Sequence, residues 1–186
     1  MDDQNIPVEI SDYFARATIA LALASSQGDN PLVLVNDAFC RLTGYSAEDV
    51  VGRNCRFLQR DAENGEAKRQ IHAFLQQDRQ ANVRTSILNF RKDGKPFVNL
   101  LYMSKLRGQS GEVRFLFASQ YDVSRSQPDR LAAYDSELGG TLARLSPALA
   151  ESGLALEGSL MVVANSAATI AQAKLTLADL NVADES

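Results

Sequence analysis

The chain is expected to fold as an α+β domain, an antiparallel sheet with short helices inserted in it, followed by a separate helical region. Three observations lead there. Residues 82–91, 96–106 and 112–123 are rich in β-branched, aromatic and leucine side chains, and they are separated by the turn-forming stretches KDGK and RGQSG. The residues between the first strands and this meander carry helical spacing instead. Beyond Ser124 the chain becomes Ala- and Leu-rich and shows no further strand pattern.

Each element follows from its side chains in turn. In residues 9–17, Ile10, Tyr13, Phe14 and Ala17 recur at helical spacing, and TIALALAS (18–25) then reads as a buried strand. After the turn-forming QGDNP, LVLV (32–35) makes a second strand. DAFCRLTG (37–44) opens on an Asp N-cap signal, Asp37, and closes on Gly44, which marks a short helix. Residues 64–77 set Ala67, Ile71, Phe74 and Leu75 on one apolar face and form the one substantial helix of the first half.

The three-strand meander comes next, and SRSQP at its end reads as a hinge. In residues 128–186 one apolar stripe runs through Leu131, Tyr134, Leu138, Leu142, Leu145 and Leu149. A second runs through Leu156, Leu160, Val163, Ala167, Ile170 and Leu177, so two helices with a break near Gly153 are expected. Gly139-Gly140 and Pro147 weaken or kink the first of them. The two stripes exceed what a core of this size needs, and the expectation is that they form a symmetric homodimer interface, joined by the N-terminal helix.

Composition narrows the function classes. Hydrophobic residues are 45% and charged ones 23% of the 186, which suits a globular chain with a proper core. The acidic start MDDQNIPVEI lacks a signal-peptide pattern and no apolar run is long enough for a membrane span, so the expected address is the cytoplasm, away from membranes. A single histidine, His72, removes most metal sites and His-based triads. Residues 126–186 carry three basic against eight acidic side chains, which argues against a nucleic-acid partner. Two cysteines are too few for a disulfide scaffold and leave a thiol free for chemistry; Cys40, inside the helix DAFCRLTG, is read as core packing.

The other cysteine stands in GRNCRFLQ (52–59), which resembles without a gap the signature of LOV blue-light photoreceptor domains of the PAS superfamily. The resemblance extends over roughly residues 14–124 through NDAFCRLTGYSAEDVVGRNCRFLQ, NFRKDGKPFVNLL and FLFASQYDVS. It implies a PAS-like five-stranded antiparallel sheet with helices on one face, and a C-terminal helical extension. It divides the chain into an N-terminal helical cap (1–17), a flavin-binding core (18–124) and a dimerisation or output extension (125–186). A short LOV protein without a fused effector, and not an enzyme, is the expectation, with an unidentified signalling protein as a further partner.

By the same resemblance the cofactor is a flavin, FMN, with Cys55 beneath the C4a carbon of its ring, where blue light drives a reversible covalent adduct. Asn54 and Gln59 would hold the ribityl chain and ring edge, Arg56 the phosphate, and Leu58 and Leu101 would lie against the cofactor. The ring's pyrimidine edge alternates acceptors and a donor, a demand that neutral carboxamides meet, and Asn89, Asn99 and Gln120 fit it. Asn89 and Asn99 share a sheet face only if the loop between their strands has an odd number of residues. After illumination the flavin N5 becomes a donor, so the Gln120 amide would rotate and pass the change to the hinge at Ser124.

One departure stands out. The family's second phosphate-binding arginine is replaced by His72, and either Arg69, three residues earlier, reaches the phosphate or His72 does; the plainer reading leaves His72 a surface residue. Competing readings are a flavin-dependent enzyme, which lacks a GxGxxG motif and an evident base, a ligand-free PAS scaffold for protein association, and a haem-binding PAS domain ligated by His72.

Overall fold

The computed structural model describes residues 5–158 and 165–184. Its elements, in chain order, are α1 (Val8–Arg16), β1 (Ala20–Ser25), β2 (Leu32–Val35), α2 (Asp37–Thr43), α3 (Ala47–Val50), a 3-10 turn (Cys55–Gln59) and α4 (Gly65–Gln76). They continue with β3 (Asn82–Phe90), β4 (Pro96–Arg107), β5 (Val113–Asp122), a 3-10 turn (Val123–Arg125), α5 (Pro128–Glu151), β6 (Ala155–Leu156) and α6 (Ser166–Asp184). The five long strands form one antiparallel sheet in the order β2-β1-β5-β4-β3.

The period of two in each strand divides this sheet into two faces. Leu21, Leu23, Val98, Leu100, Tyr102, Leu106, Phe115 and Phe117 point to one side, where they join Ile10 and Phe14 of α1 and Leu131, Leu138, Leu142, Leu145 and Leu149 of α5 in the main core. Phe14 meets Phe117 edge to face, with ring centroids 6.1 Å apart. Asn89, Asn99, Leu101, Met103, Leu116 and Gln120 point to the opposite side, toward α4 and the turn at Cys55.

Several expectations need correcting. The cap of α2 is Asn36, not Asp37: its side chain accepts from the Phe39 and Leu21 amides (3.0 and 2.9 Å) and donates to the Ile19 carbonyl (2.8 Å), so one buried carboxamide both caps the helix and ties it to β1. The helix α5 runs unbroken through Gly139-Gly140 and Pro147, because Leu145 and Leu149, fully buried on either side of the proline, hold it against the sheet. Leu156 is not helical. It lies in β6, an unforeseen two-residue strand that pairs with Leu106 and Arg107 of β4, and α6 starts only at Ser166. Leu160 and Val163 of the second stripe lie outside the described residues.

The largest correction concerns α5. Its apolar stripe packs inside the chain. Every leucine named in it is buried against the chain's own sheet. Polar contacts lock the same helix down: the Tyr134 and Ser119 hydroxyls are 2.5 Å apart, the Tyr134 ring stacks on Tyr121 at 4.3 Å, and Arg84 forms a part-buried ion pair with Asp135.

Candidate functional site

The Cys55 turn is positioned from below and from the side. Gly52, at φ 86°, takes a left-handed bend that its lack of a Cβ permits, and its amide donates to the Leu32 carbonyl (2.8 Å) while Leu32 donates to Arg53 (2.9 Å). Asn54 then caps the 3-10 turn by accepting from the Arg56 amide (2.9 Å). Leu58, on the underside, is buried with Phe39, Val50 and Ala20 and so anchors the turn. Helix α4 is docked by Asn64, whose side chain makes a reciprocal pair of bonds with the Leu88 backbone (2.8 and 2.9 Å).

These elements enclose a cavity of about 310 Å3 between the sheet, the turn and α4. Its floor is Ile87, Asn89, Asn99, Leu101, Met103, Leu116 and Gln120; the turn contributes Asn54, Cys55, Arg56 and Gln59, and α4 contributes Lys68, Ile71, His72 and Leu75. Small-molecule sites are typically of this size or somewhat larger, apolar, with a few convergent polar groups.

The loop between β3 and β4 has five residues, 91–95, tightened around its tip (Lys92, Asp93, Gly94) by the Arg91 amide donating to the Lys95 carbonyl (2.9 Å). The count is odd, so Asn89 and Asn99 share the cavity face. All three carboxamides are buried there and linked: Asn99 Nδ2 donates to Asn89 Oδ1 (3.0 Å) and to Gln120 Oε1 (3.1 Å), while its Oδ1 accepts from the Tyr121 amide (3.2 Å). Three buried carboxamides on an otherwise apolar wall form a donor and acceptor strip suited to a heterocycle edge.

Burial pushes the Cys55 thiol up to about 12, a shift that a hydrogen bond with Gln120 only partly offsets. A thiol that stays protonated at neutral pH is a poor nucleophile in the dark, so its reaction needs an activated partner.

Of the residues singled out from sequence, Asn54, Cys55, Arg56, Gln59, His72, Asn89, Asn99, Leu101 and Gln120 line this cavity. Leu58 and Arg69 do not: Leu58 faces the core beneath the turn, and Arg69 is drawn outward to Glu66. Lys68 was not singled out, although it precedes His72 by four residues and so shares its face. Cys40 is partly buried and packs against the edge of the cluster formed by Phe39, Ala38 and Val50. Among the described residues no helix is long and apolar enough to cross a membrane, and no group of three His, Cys, Asp or Glu side chains could hold a metal ion.

A PAS domain family model matches residues 19–125. The Rhodobacter sphaeroides LOV protein superposes with a TM-score of 0.69 at 30% identity, covering 93% of this chain and 94% of that one. The chain is a LOV protein of the PAS family. A blue-light-activated histidine kinase of Rhizobium johnstonii is 44% identical to it over 96 residues, 52% of this LOV chain and 27% of the kinase. Blue-light-activated histidine kinase 1 of Erythrobacter litoralis is 35% identical over 138 residues, 72% of this chain and 38% of the kinase. The LOV chain thus spans well under half the length of these curated relatives.

Proposed function

We propose that this LOV chain is a blue-light sensor, not an enzyme, which binds FMN in the cavity and uses Cys55 as a reversible photochemical nucleophile. The observation that carries the reading is that the half-buried Cys55 lines the same cavity as the linked carboxamides of Asn89, Asn99 and Gln120. The residues present fit a flavin: apolar side chains (Ile71, Leu75, Leu101, Leu116) for the flat ring, carboxamides for its edge, and a polar mouth of Asn30, Asn54, Gln59 and Arg56 for the ribityl phosphate. When bound, a flavin would supply blue-light absorption, an excited ring carbon electrophilic enough to take the Cys55 sulfur, and a ring nitrogen basic enough to take the proton that the thiol gives up.

The chain's own residues do the rest. Burial holds the thiol neutral until light arrives, the carboxamides fix the ring's register, and Gln120 can turn its amide to present either oxygen or nitrogen. That reversal changes the bonding at the end of β5, whose neighbours Ser119 and Tyr121 contact Tyr134 of α5. The reading includes a homodimer through the terminal helices, now on narrower ground: Val8 of α1 and Leu175 of α6 are 65% and 57% exposed. It also places the chain in the cytoplasm, where its free thiols Cys40 and Cys55 suit a reducing compartment.

The test is spectroscopic. The parent chain should bleach its main flavin band under blue light and recover in darkness, whereas Cys55→Ala should retain flavin and lose the bleaching. Dark-reversible bleaching in Cys55→Ala, or a parent chain that stays colourless after incubation with FMN, would refute the reading.

A further inference from the structure

The positive charge around the cavity mouth is less available than the residue count suggests. Arg56 is engaged as a fork: Nη1 lies 2.6 Å from Oδ2 of Asp29 and Nη2 lies 2.7 Å from Oδ1. Arg69 is turned to Glu66, and Lys68 Nζ donates to the Ala62 carbonyl at 3.0 Å. His72 stands where a permanently charged arginine would serve a phosphate better.

Asp29 reaches Arg56 because its backbone is held there. Its carbonyl accepts from Asn54 Nδ2, and the next residues are fixed by the Pro31–Asn54 bridge and by Asn30, at φ 50°, donating to the Ser25 carbonyl (3.1 Å). The carboxylate is therefore a resident anion on the guanidinium that an incoming phosphate would need. A bidentate fork satisfied by one anion offers less to a second, and the two anions repel.

We infer that Asp29 is a specificity-determining residue which lowers this cavity's preference for phosphorylated flavin, so that the advantage of FMN over unphosphorylated riboflavin is held to about tenfold or less. The inference rests on the flavin reading of the cavity. Both partners are well exposed, 61% and 69% at their side chains, so screening limits the effect to one on the order of three- to tenfold, shrinking with added salt.

The experiment is titration of the full chain, stripped of flavin, with FMN and with riboflavin separately, read by quenching of flavin fluorescence. The parent should bind FMN no more than about tenfold tighter than riboflavin. Asp29→Asn should raise the FMN-to-riboflavin affinity ratio three- to tenfold through tighter FMN binding, Asp29→Glu should keep the parent ratio, and Asp29→Asn should lose its effect in an Arg56→Ala background. A purely structural role for Asp29 would weaken both flavins alike. If both flavins bind and Asp29→Asn leaves the ratio unchanged or lowers it, the inference is overturned while the flavin reading stands; if neither flavin binds the parent, both fall.

Discussion

Replacing Leu138 by alanine tests whether α5 belongs to the chain's own core. Leu138 is 0% exposed and packs among leucines of α5 and the aromatic and aliphatic side chains of the sheet's far face. The substitution removes three buried carbons and leaves a void that a helix clamped by Tyr134 and Asp135 cannot readily close, which places the cost at about 3–5 kcal/mol. For a chain of this length each kcal/mol lowers Tm by roughly 2–4 °C, so the midpoint should fall by about 6–20 °C. Leu175→Ala, at a side chain 57% exposed within the chain, should change stability by no more than about 0.5 kcal/mol at dilutions where the protein is monomeric. Urea and thermal unfolding at two protein concentrations well apart would measure this. Because the lost contacts lie within one chain, the destabilisation should not depend on concentration. A loss below about 1 kcal/mol, or one that disappears on dilution, would mean that the stripe is covered by a second copy.

Two further outcomes follow from the same contacts. Gln120→Leu removes the acceptor of Asn99 and the hydrogen-bond partner of Cys55, and should still permit bleaching while reducing light-induced hydrogen exchange in residues 125–184; unaltered exchange there would rule out Gln120 as the relay. Burial raises Cys55 to about 12 and also pushes Tyr134 upward, so both favour the neutral form in the folded state. Their contribution is intact below the unfolded thiol value, near pH 9, and declines as pH rises toward 12. A profile of Tm against pH should therefore fall on the alkaline side, less steeply in Cys55→Ala and Tyr134→Phe, and identical alkaline limbs in all three proteins would contradict the burial argument.

The sheet was legible because it rests on short-range patterns, and the cavity residues because the LOV resemblance is carried by short contiguous stretches. Alternation along NFRKDGKPFVNLL separates Asn89 and Asn99 from the core-facing Val98 and Leu100, and GRNCRFLQ concentrates the turn residues in one stretch. What could not be read was set by distant partners. A helix stripe such as Leu131–Leu149 looks the same whether a sheet or a second chain covers it, and only tertiary packing decides. Asn36 is a better cap than Asp37 because its amide can also donate to Ile19, a bond formed only once β1 is in place. Arg69 and Lys68 differ by one helical step, about 100° of rotation, which decides which of them turns toward the cavity.

The five-residue loop at 91–95 makes the site depend on parity. Surface loops ordinarily accept insertions and deletions with little penalty. Here, adding or removing a single residue while keeping the downstream hydrogen-bond ladder in step would rotate Asn99 out of the carboxamide strip and bring an apolar neighbour, Val98 or Leu100, into its place. Length changes at this tip are compatible with the binding wall only in twos, so an exposed turn of otherwise ordinary composition is constrained by arithmetic, and not by any contact its own side chains make with a ligand.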